Sequence, residues 1–301
     1  MIAALTGGTG FLGRAVAARL LRDGWQVRRL VRNPHDGAPD HVVGSLEDEE
    51  SLARLVDGAA LVVHVAGLVQ ARDARQFHAI NVEGAKRLGR AIRHHAAQAR
   101  LVAVSSLAAR EPGLSPYAAS KAAGEAALLE HSGSDDWVVL RPCALYGPGD
   151  RATLAMFRAA LLPILPLPAR PDARLALLHV DDAAAAVAAA ARAPHRGRLW
   201  EVGAGAFAWA AIGRAAAAAL GRNPALLPVP RPVLAAGLAL LRLLAPGASP
   251  LASPGKLAEM LHHDWTCRFD HLPPGGVWTP TIGLEDGFSA TAAWYRLHGW
   301  L

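Results

Sequence analysis

The stretch Thr6-Gly7-Gly8-Thr9-Gly10-Phe11-Leu12-Gly13 lies between two patterned segments. Before it runs a short apolar strand pattern, Ile2–Leu5. After it, Phe11–Arg22 carries Leu12, Val16, Leu20 and Leu21 at helical spacing. Strand, glycine-rich turn and helix in this order bring the amino end of the helix to the carboxyl edge of a sheet. The glycines at 7, 10 and 13 answer different steric demands: the first allows a tight turn, the second lets a ligand approach the backbone, and the third lets the helix pack on the strand. The first helical turn has N–H groups without intrahelical partners, and the peptide dipoles add partial positive charge there. The loop therefore fits the phosphates of a dinucleotide, with Gly7, Thr9, Gly10, Phe11, Leu12 and Gly13 as candidate contacts.

Outward from the loop, Val27–Val31, Leu61–Val65, Leu101–Val104 and Trp137–Leu140 read as short Val- and Leu-rich strands buried on both faces. Helical patterns cover Arg75–His95 and Tyr117–Glu130. A further helix is expected after Ser45, with Ser45 as its N-cap and Asp48 as a capping-box acid. This rhythm specifies an α/β fold: a Rossmann-type, doubly wound parallel sheet with a smaller, mostly helical C-terminal substrate lobe. After Gly147-Pro148-Gly149 the rhythm breaks. It returns with a strand at Ala176–Val180, a helix at Asp182–Arg192 and a strand at Leu199–Val202. The expected organisation is a dinucleotide-binding core at 1–150, an interleaved cap segment and return to the core at 151–203, and the lobe at 204–301.

Tyr117 and Lys121 stand four residues apart, hence on one helical face. A phenol with an ordinary pKa near 10 exchanges protons poorly at neutral pH, and a neighbouring ammonium lowers that value. The pair is thus a candidate acid/base, with Lys121 also able to reach a nicotinamide ribose. Ser105 and Ser106 end the fourth strand, at the edge where such sheets bind ligands. Ser106 is the candidate donor to a substrate oxygen, and Ser105 a candidate cofactor contact. The second strand ends Leu30-Val31-Arg32-Asn33, without the carboxylate that would hold a ribose 2′-hydroxyl. Arg32 instead suits a 2′-phosphate, so NADP is expected, with NAD possible.

These motifs resemble an extended or atypical short-chain dehydrogenase/reductase of the NAD-dependent epimerase/dehydratase superfamily. The resemblance also rests on His64-Val65-Ala66-Gly67, Asn81-Val82-Glu83-Gly84, Arg141-Pro142-Cys143-Ala144-Leu145-Tyr146-Gly147-Pro148 and His179-Val180-Asp181-Asp182. It implies Tyr117 as acid/base, Lys121 as its partner and ribose ligand, Ser106 as the substrate-oxygen donor, Ala66 and Gly67 along the cofactor, and Pro142 near the nicotinamide. It also implies that a homodimer is possible, through helices that include the one bearing Tyr117. Departures narrow the substrate. Leu107-Ala108 stand where sugar dehydratases resemble one another in an Asp-Glu pair, and Ala144 stands where sugar-nucleotide epimerases commonly carry Asn. Both point away from nucleotide sugars.

Composition excludes further classes. The net charge of +6 comes almost wholly from scattered Arg, with lysines only at 86, 121 and 256, so no nucleic-acid partner is expected. The two cysteines, Cys143 and Cys267, form no CxxC pair, which argues against a zinc site and fits a cytoplasmic setting. No metal is expected, His262-His263-Asp264 included. The apolar run Val233–Leu241 is too short to cross a bilayer, so no stable membrane insertion is expected. Leu161, Leu162, Ile164, Leu165 and Leu167, with the apolar segment Val233–Leu244, suit a hydrophobic small-molecule ketone or alcohol, or simply pack the lobe's own core. The expected activity is carbonyl–alcohol interconversion. The alternatives are an epimerase, or a non-catalytic NADP-binding regulatory or assembly protein.

Overall fold

In a computed structural model of the chain, residues 1–33, 40–168, 173–244 and 254–301 are described. The strands are β1 (Ile2–Thr6), β2 (Gln26–Val31), β3 (His41–Val43), β4 (Leu61–His64), β5 (Arg100–Val104), β6 (Trp137–Pro142), β7 (Ala144–Tyr146), β8 (Ile164–Pro168), β9 (Arg174–His179), β10 (Arg198–Val202), β11 (Ala204–Phe207), β12 (Ala225–Val229) and β13 (Asp264–Trp265). The helices are α1 (Phe11–Arg22), α2 (Glu49–Val56), α3 (Ala74–Phe77), α4 (Gly84–His95), α5 (Pro116–Ser132), α6 (Leu154–Ala160), α7 (Val180–Arg192), α8 (Trp209–Ala219), α9 (Arg231–Leu244), α10 (Pro254–Met260) and α11 (Leu284–Leu297). The chain divides into two units. The first holds 1–142, 183–202 and 268–279; the second holds 143–182, 203–267 and 280–301.

The first unit is built on a seven-stranded sheet in the order β10-β6-β5-β4-β1-β2-β3, with every pairing parallel. The order reverses direction at β1, so the loop after β1 opens at the switch point where α/β sheets take ligands. Strands buried on both faces need no alternation, and β4 (LVVH) is buried at all four positions. One core cluster joins Val62, Leu101 and Val139 of the sheet to Leu52, Leu55, Leu88, Ile92 and Leu128 of the covering helices.

Three local expectations are corrected. The cap of α2 is Asp48, whose carboxylate accepts from the N–H groups of Glu50 and Ser51. Ser45 instead accepts from Glu47, because it lies too far ahead of the first helical turn to cap it. The three-residue edge strand β3 adds to the expected sheet; only two of its residues are branched apolar, and half-burial at the sheet edge gives little pattern. The segment expected as one helix at 75–95 is interrupted by a π-helical turn at His78–Glu83.

The second unit packs α6, α8 and α11 around two small sheets, one joining β7, β9, β11 and β13, the other pairing β8 with β12 in parallel. Its core is aromatic: Tyr146, Phe157, Phe288 and Tyr295 are buried together, with ring centroids 4.9 to 5.4 Å apart. Tyr295 donates to the Asp150 carbonyl at 2.5 Å, and Trp300 stacks on its ring at 5.6 Å, so these aromatics anchor the terminal helix. The expected leucine core of the lobe is split. Leu165 and Leu167 are buried, whereas Leu161, Leu162 and Ile164 are exposed. The side chains of Leu238 and Leu240–Leu244 lie outside the described residues.

Candidate active site

The glycine loop turns where the sequence requires. Gly7 has φ +73°, and a Cβ there would sit 2.6 Å from the Ala66 nitrogen. A Cβ on Gly13 would overlap the Gly7 carbonyl oxygen, so any other residue would force loop and helix apart. The Gly10 N–H donates to the Gly7 carbonyl at 3.0 Å. Gly10 is also the N-cap of α1, with no side-chain cap and no acid in the first turn. The amino end of α1 thus presents N–H donors and no competing carboxylate, which fits a pyrophosphate. Thr9 is exposed at the loop tip, Phe11 is half-buried, and Leu12 is buried beneath the helix.

Beyond β2 the two upstream arginines are committed elsewhere. Arg28 donates to the carbonyls of Arg54, Leu55 and Asp57 at the end of α2. Arg29 pairs with Asp40 at 2.6 Å, and its stem lies 3.1 Å from where a Gly8 Cβ would be. Arg32 is exposed just past the end of β2. It is the arginine of the three placed to meet a ligand from solvent.

Two of the catalytic candidates, Ser106 and Lys121, lie at the end of β5. Ser115 caps α5 by accepting the Ala118 N–H, and Pro116 occupies its first turn. This fixes the start of the helix one residue before Tyr117. The half-buried Tyr117 ring lies 5.9 Å from that of Phe77. One turn on, the Lys121 ammonium donates to the Val104 carbonyl at 3.2 Å and lies 3.6 Å from where a Gly67 Cβ would be. Burial pushes the Lys121 pKa down to about 8, against the opposing pull of the Glu125 carboxylate. Lys121 is therefore cationic at neutral pH and neutral in mild alkali.

Ser105 is buried at the end of β5. The Ser106 hydroxyl accepts the Ala108 N–H and caps the 3₁₀ turn Leu107–Arg110. Pro142 is buried at the end of β6 and pairs with Val202. Ala66 donates its N–H to the Thr6 hydroxyl at 3.3 Å. The structure thus brings Gly7, Ala66, Gly67 and Lys121 into one contiguous patch.

Three polar residues with no role in the sequence reading surround Lys121. Asn81, in the π turn, exchanges hydrogen bonds with the Leu68 backbone and donates to the Ser120 hydroxyl at 2.9 Å. Its own backbone carbonyl would be overlapped by a Cβ on residue 124, so α5 approaches the turn only because that residue is glycine. His64 bonds Thr6 through Nδ1 at 2.8 Å, and burial with the nearby Lys121 charge drives its pKa down to about 3. It is neutral. Glu125 receives two hydrogen bonds from Arg141, at 2.9 and 2.6 Å. A cavity of about 20 Å³, room for one water, is lined by His64, Asn81, Ser105, Lys121 and Glu125. Glu125 was readable in principle, since it follows Lys121 by one helical turn. The others come together only through the sheet.

A profile of the NAD-dependent epimerase/dehydratase family matches residues 3–203. The chain belongs to this family. It is an NAD(P)-dependent oxidoreductase with the family's Rossmann-type sheet. Among curated relatives it is 42% identical to a ceramide reductase of Caulobacter vibrioides, over 100% of this chain and 96% of the relative. It is 32% identical to a 4-hydroxy-2-methyl-3-oxo-4-farnesyl-3,4-dihydroquinoline-1-oxide ketoreductase of Stigmatella aurantiaca, over 50% of this chain and 52% of that protein. Among solved structures, the UDP-glucose 4-epimerase of Thermus thermophilus in complex with NAD superposes with a TM-score of 0.69. That match has 25% identity and covers 98% of this chain and 99% of the other. Among the described residues no group of three His, Cys, Asp or Glu side chains is arranged to hold a metal, and no helix is long and apolar enough to cross a membrane.

Proposed function

We propose that this family member reduces a ketone carried on a long-chain, ceramide-type lipid to the secondary alcohol, with NADPH as the preferred cofactor. The observation that carries this reading is the Lys121 ammonium, held against the Val104 carbonyl beside Gly67, one helical turn from Tyr117. When bound, the nicotinamide supplies the hydride. Tyr117 gives its phenolic proton to the carbonyl oxygen, Lys121 stabilises the phenolate left behind, and Ser106 orients the oxygen. Gly7, Gly10 and Gly13 keep the loop close to the pyrophosphate, with Thr9, Phe11 and Leu12 flanking it. Ala66, Gly67, Ser105 and Pro142 line the nicotinamide half.

Two facts support a lipid substrate. A relative matched over 96% of its length is named a ceramide reductase, and the second unit contains a cavity of about 290 Å³ lined by Tyr146, Leu177, Phe207, Ile282 and Leu284, with Thr281, among others. The apolar part of this lining suits a hydrocarbon segment. Cys143 and Cys267 are not joined in a disulfide, which supports a cytoplasmic setting.

The test is to follow NADPH absorbance with the 3-oxo form of a ceramide and with short aliphatic ketones. Turnover of the lipid ketone at a higher kcat/KM is expected; no turnover of any ketone would overturn the reading. Arg32→Asp should move the preference from NADPH toward NADH by roughly tenfold or more, about one charge-assisted hydrogen bond. An unchanged ratio of kcat/KM for the two cofactors would remove Arg32 from the site.

A further inference from the structure

The pair β8 and β12 is a parallel two-stranded sheet with the register Ile164↔Ala225, Leu165↔Leu226 and Pro166↔Leu227. Paired residues in such a sheet point to the same face. One face carries Leu165 and Leu167 into the aromatic core. The other carries Ile164, Pro166, Ala225 and Leu227, all exposed, with Ile164 51% and Leu227 50% accessible. An exposed face ordinarily alternates to polar residues, and parallel strands are ordinarily covered on both sides. Here neither strand, ILPLP or ALLPV, contains a single polar side chain. Exposed leucines extend the face at one end, where Leu161 and Leu162 lead into β8. Val233, 60% accessible, extends it at the other, in the first turn of α9.

The segment that carries β12 has charge of one sign. Residues 202–258 contain no Asp or Glu. Arg222, in the coil just ahead of β12, is exposed. A second copy of the chain would bring the same arginine against this one, and like charges oppose that pairing. Strand addition at the edges is further hindered by Pro166, Pro168 and Pro228, which lack the N–H that a ladder needs. An anionic bilayer surface supplies what both features lack, negative headgroups for the arginine and hydrocarbon for the apolar residues.

We propose that the outer face of β8 and β12, with Leu161, Leu162 and Val233, docks the protein on anionic lipid membranes as a peripheral, non-spanning contact. Docking of this kind is independent of which ketone is reduced, and its test measures no turnover. The full chain is mixed with sucrose-loaded vesicles of phosphatidylglycerol and phosphatidylcholine, or of phosphatidylcholine alone, and sedimented. Partition onto the anionic vesicles is expected, falling as salt is raised. The double variant Ile164→Glu, Leu227→Glu should weaken it about tenfold or more, since a carboxylate enters the apolar interface and repels the headgroups. Arg222→Glu, on an exposed coil outside the sheet, should weaken it severalfold through charge alone. Thermal melting and NADPH-binding fluorescence report that each variant is folded. Absence of partition at low salt, equal partition by folded variants, or a dimer in ultracentrifugation that the double variant dissolves would each overturn the proposal.

Discussion

The two units of this chain obey different constraints. In the first, the decisive positions are places where backbone must come close to backbone or ligand: Gly13 against the Gly7 carbonyl, Gly7 against Ala66, Gly124 against Asn81. In the second, the decisive positions are large rings filling space, with Tyr295, Phe157 and Phe288 among the most deeply buried side chains. The contrast teaches where each kind of substitution should register. Changes to polar groups in the first unit should alter turnover and leave melting nearly intact. Changes in the second should alter melting first.

The largest expected effect breaks the comparison on the catalytic side. Tyr117→Phe should lower turnover by about 10²–10⁴-fold, the usual contribution of a positioned acid/base, while NADPH binding and melting temperature stay near wild type. Unchanged turnover would remove Tyr117 from the chemistry. On the packing side, Gly287→Ala would drive a Cβ into the Tyr146 hydroxyl. Such overpacking should cost about 1–3 kcal/mol, read as a lower urea midpoint.

A third test asks whether the first unit also responds to acid. His64 has its folded pKa depressed to about 3, against an unfolded value near 6.5. Between these values the unfolded chain binds the extra proton, so the stability is fully present above pH 6.5 and is lost as pH falls toward 3. From pH 6.5 to 5.5 this group alone should remove about 1 kcal/mol, and His64→Asn should flatten that part of the urea-midpoint profile.

The smallest effect sharpens the picture of Lys121. Its ammonium titrates at about 8, so carbonyl reduction should decline as pH rises through that value. Glu125 opposes the depression caused by burial, and Glu125→Gln should therefore move the decline to lower pH. A kcat/KM profile against pH for both proteins checks this; coincident profiles would show that the carboxylate does not reach the lysine.

The same contrast explains what the sequence revealed. Six of the seven strands of the large sheet and the Tyr117/Lys121 pair were readable because they rest on local spacing: apolar runs, glycines at fixed intervals, and one helical turn between two side chains. His64 and Asn81 stand within recognisable motifs, but their work depends on contacts with Thr6, Leu68 and Ser120, between 13 and 58 residues away. The same holds for Arg141, whose partner Glu125 is 16 residues off. The strand pair β8 and β12 was hidden for another reason. Its sequences are apolar throughout, so they offered no alternation by which to tell a strand from a loop packed on a core.

The π turn at His78–Glu83 carries a consequence of its own. A π turn widens the hydrogen-bonding ring, so this stretch houses one residue more than an α ladder would use. Within this turn the Asn81 carbonyl faces Gly124 and its side-chain amide bonds the Leu68 backbone. Length itself is therefore a site determinant here. Between β4 and α4 a point substitution could preserve the lysine's surroundings, but a one-residue deletion would not, however conservative the remaining letters.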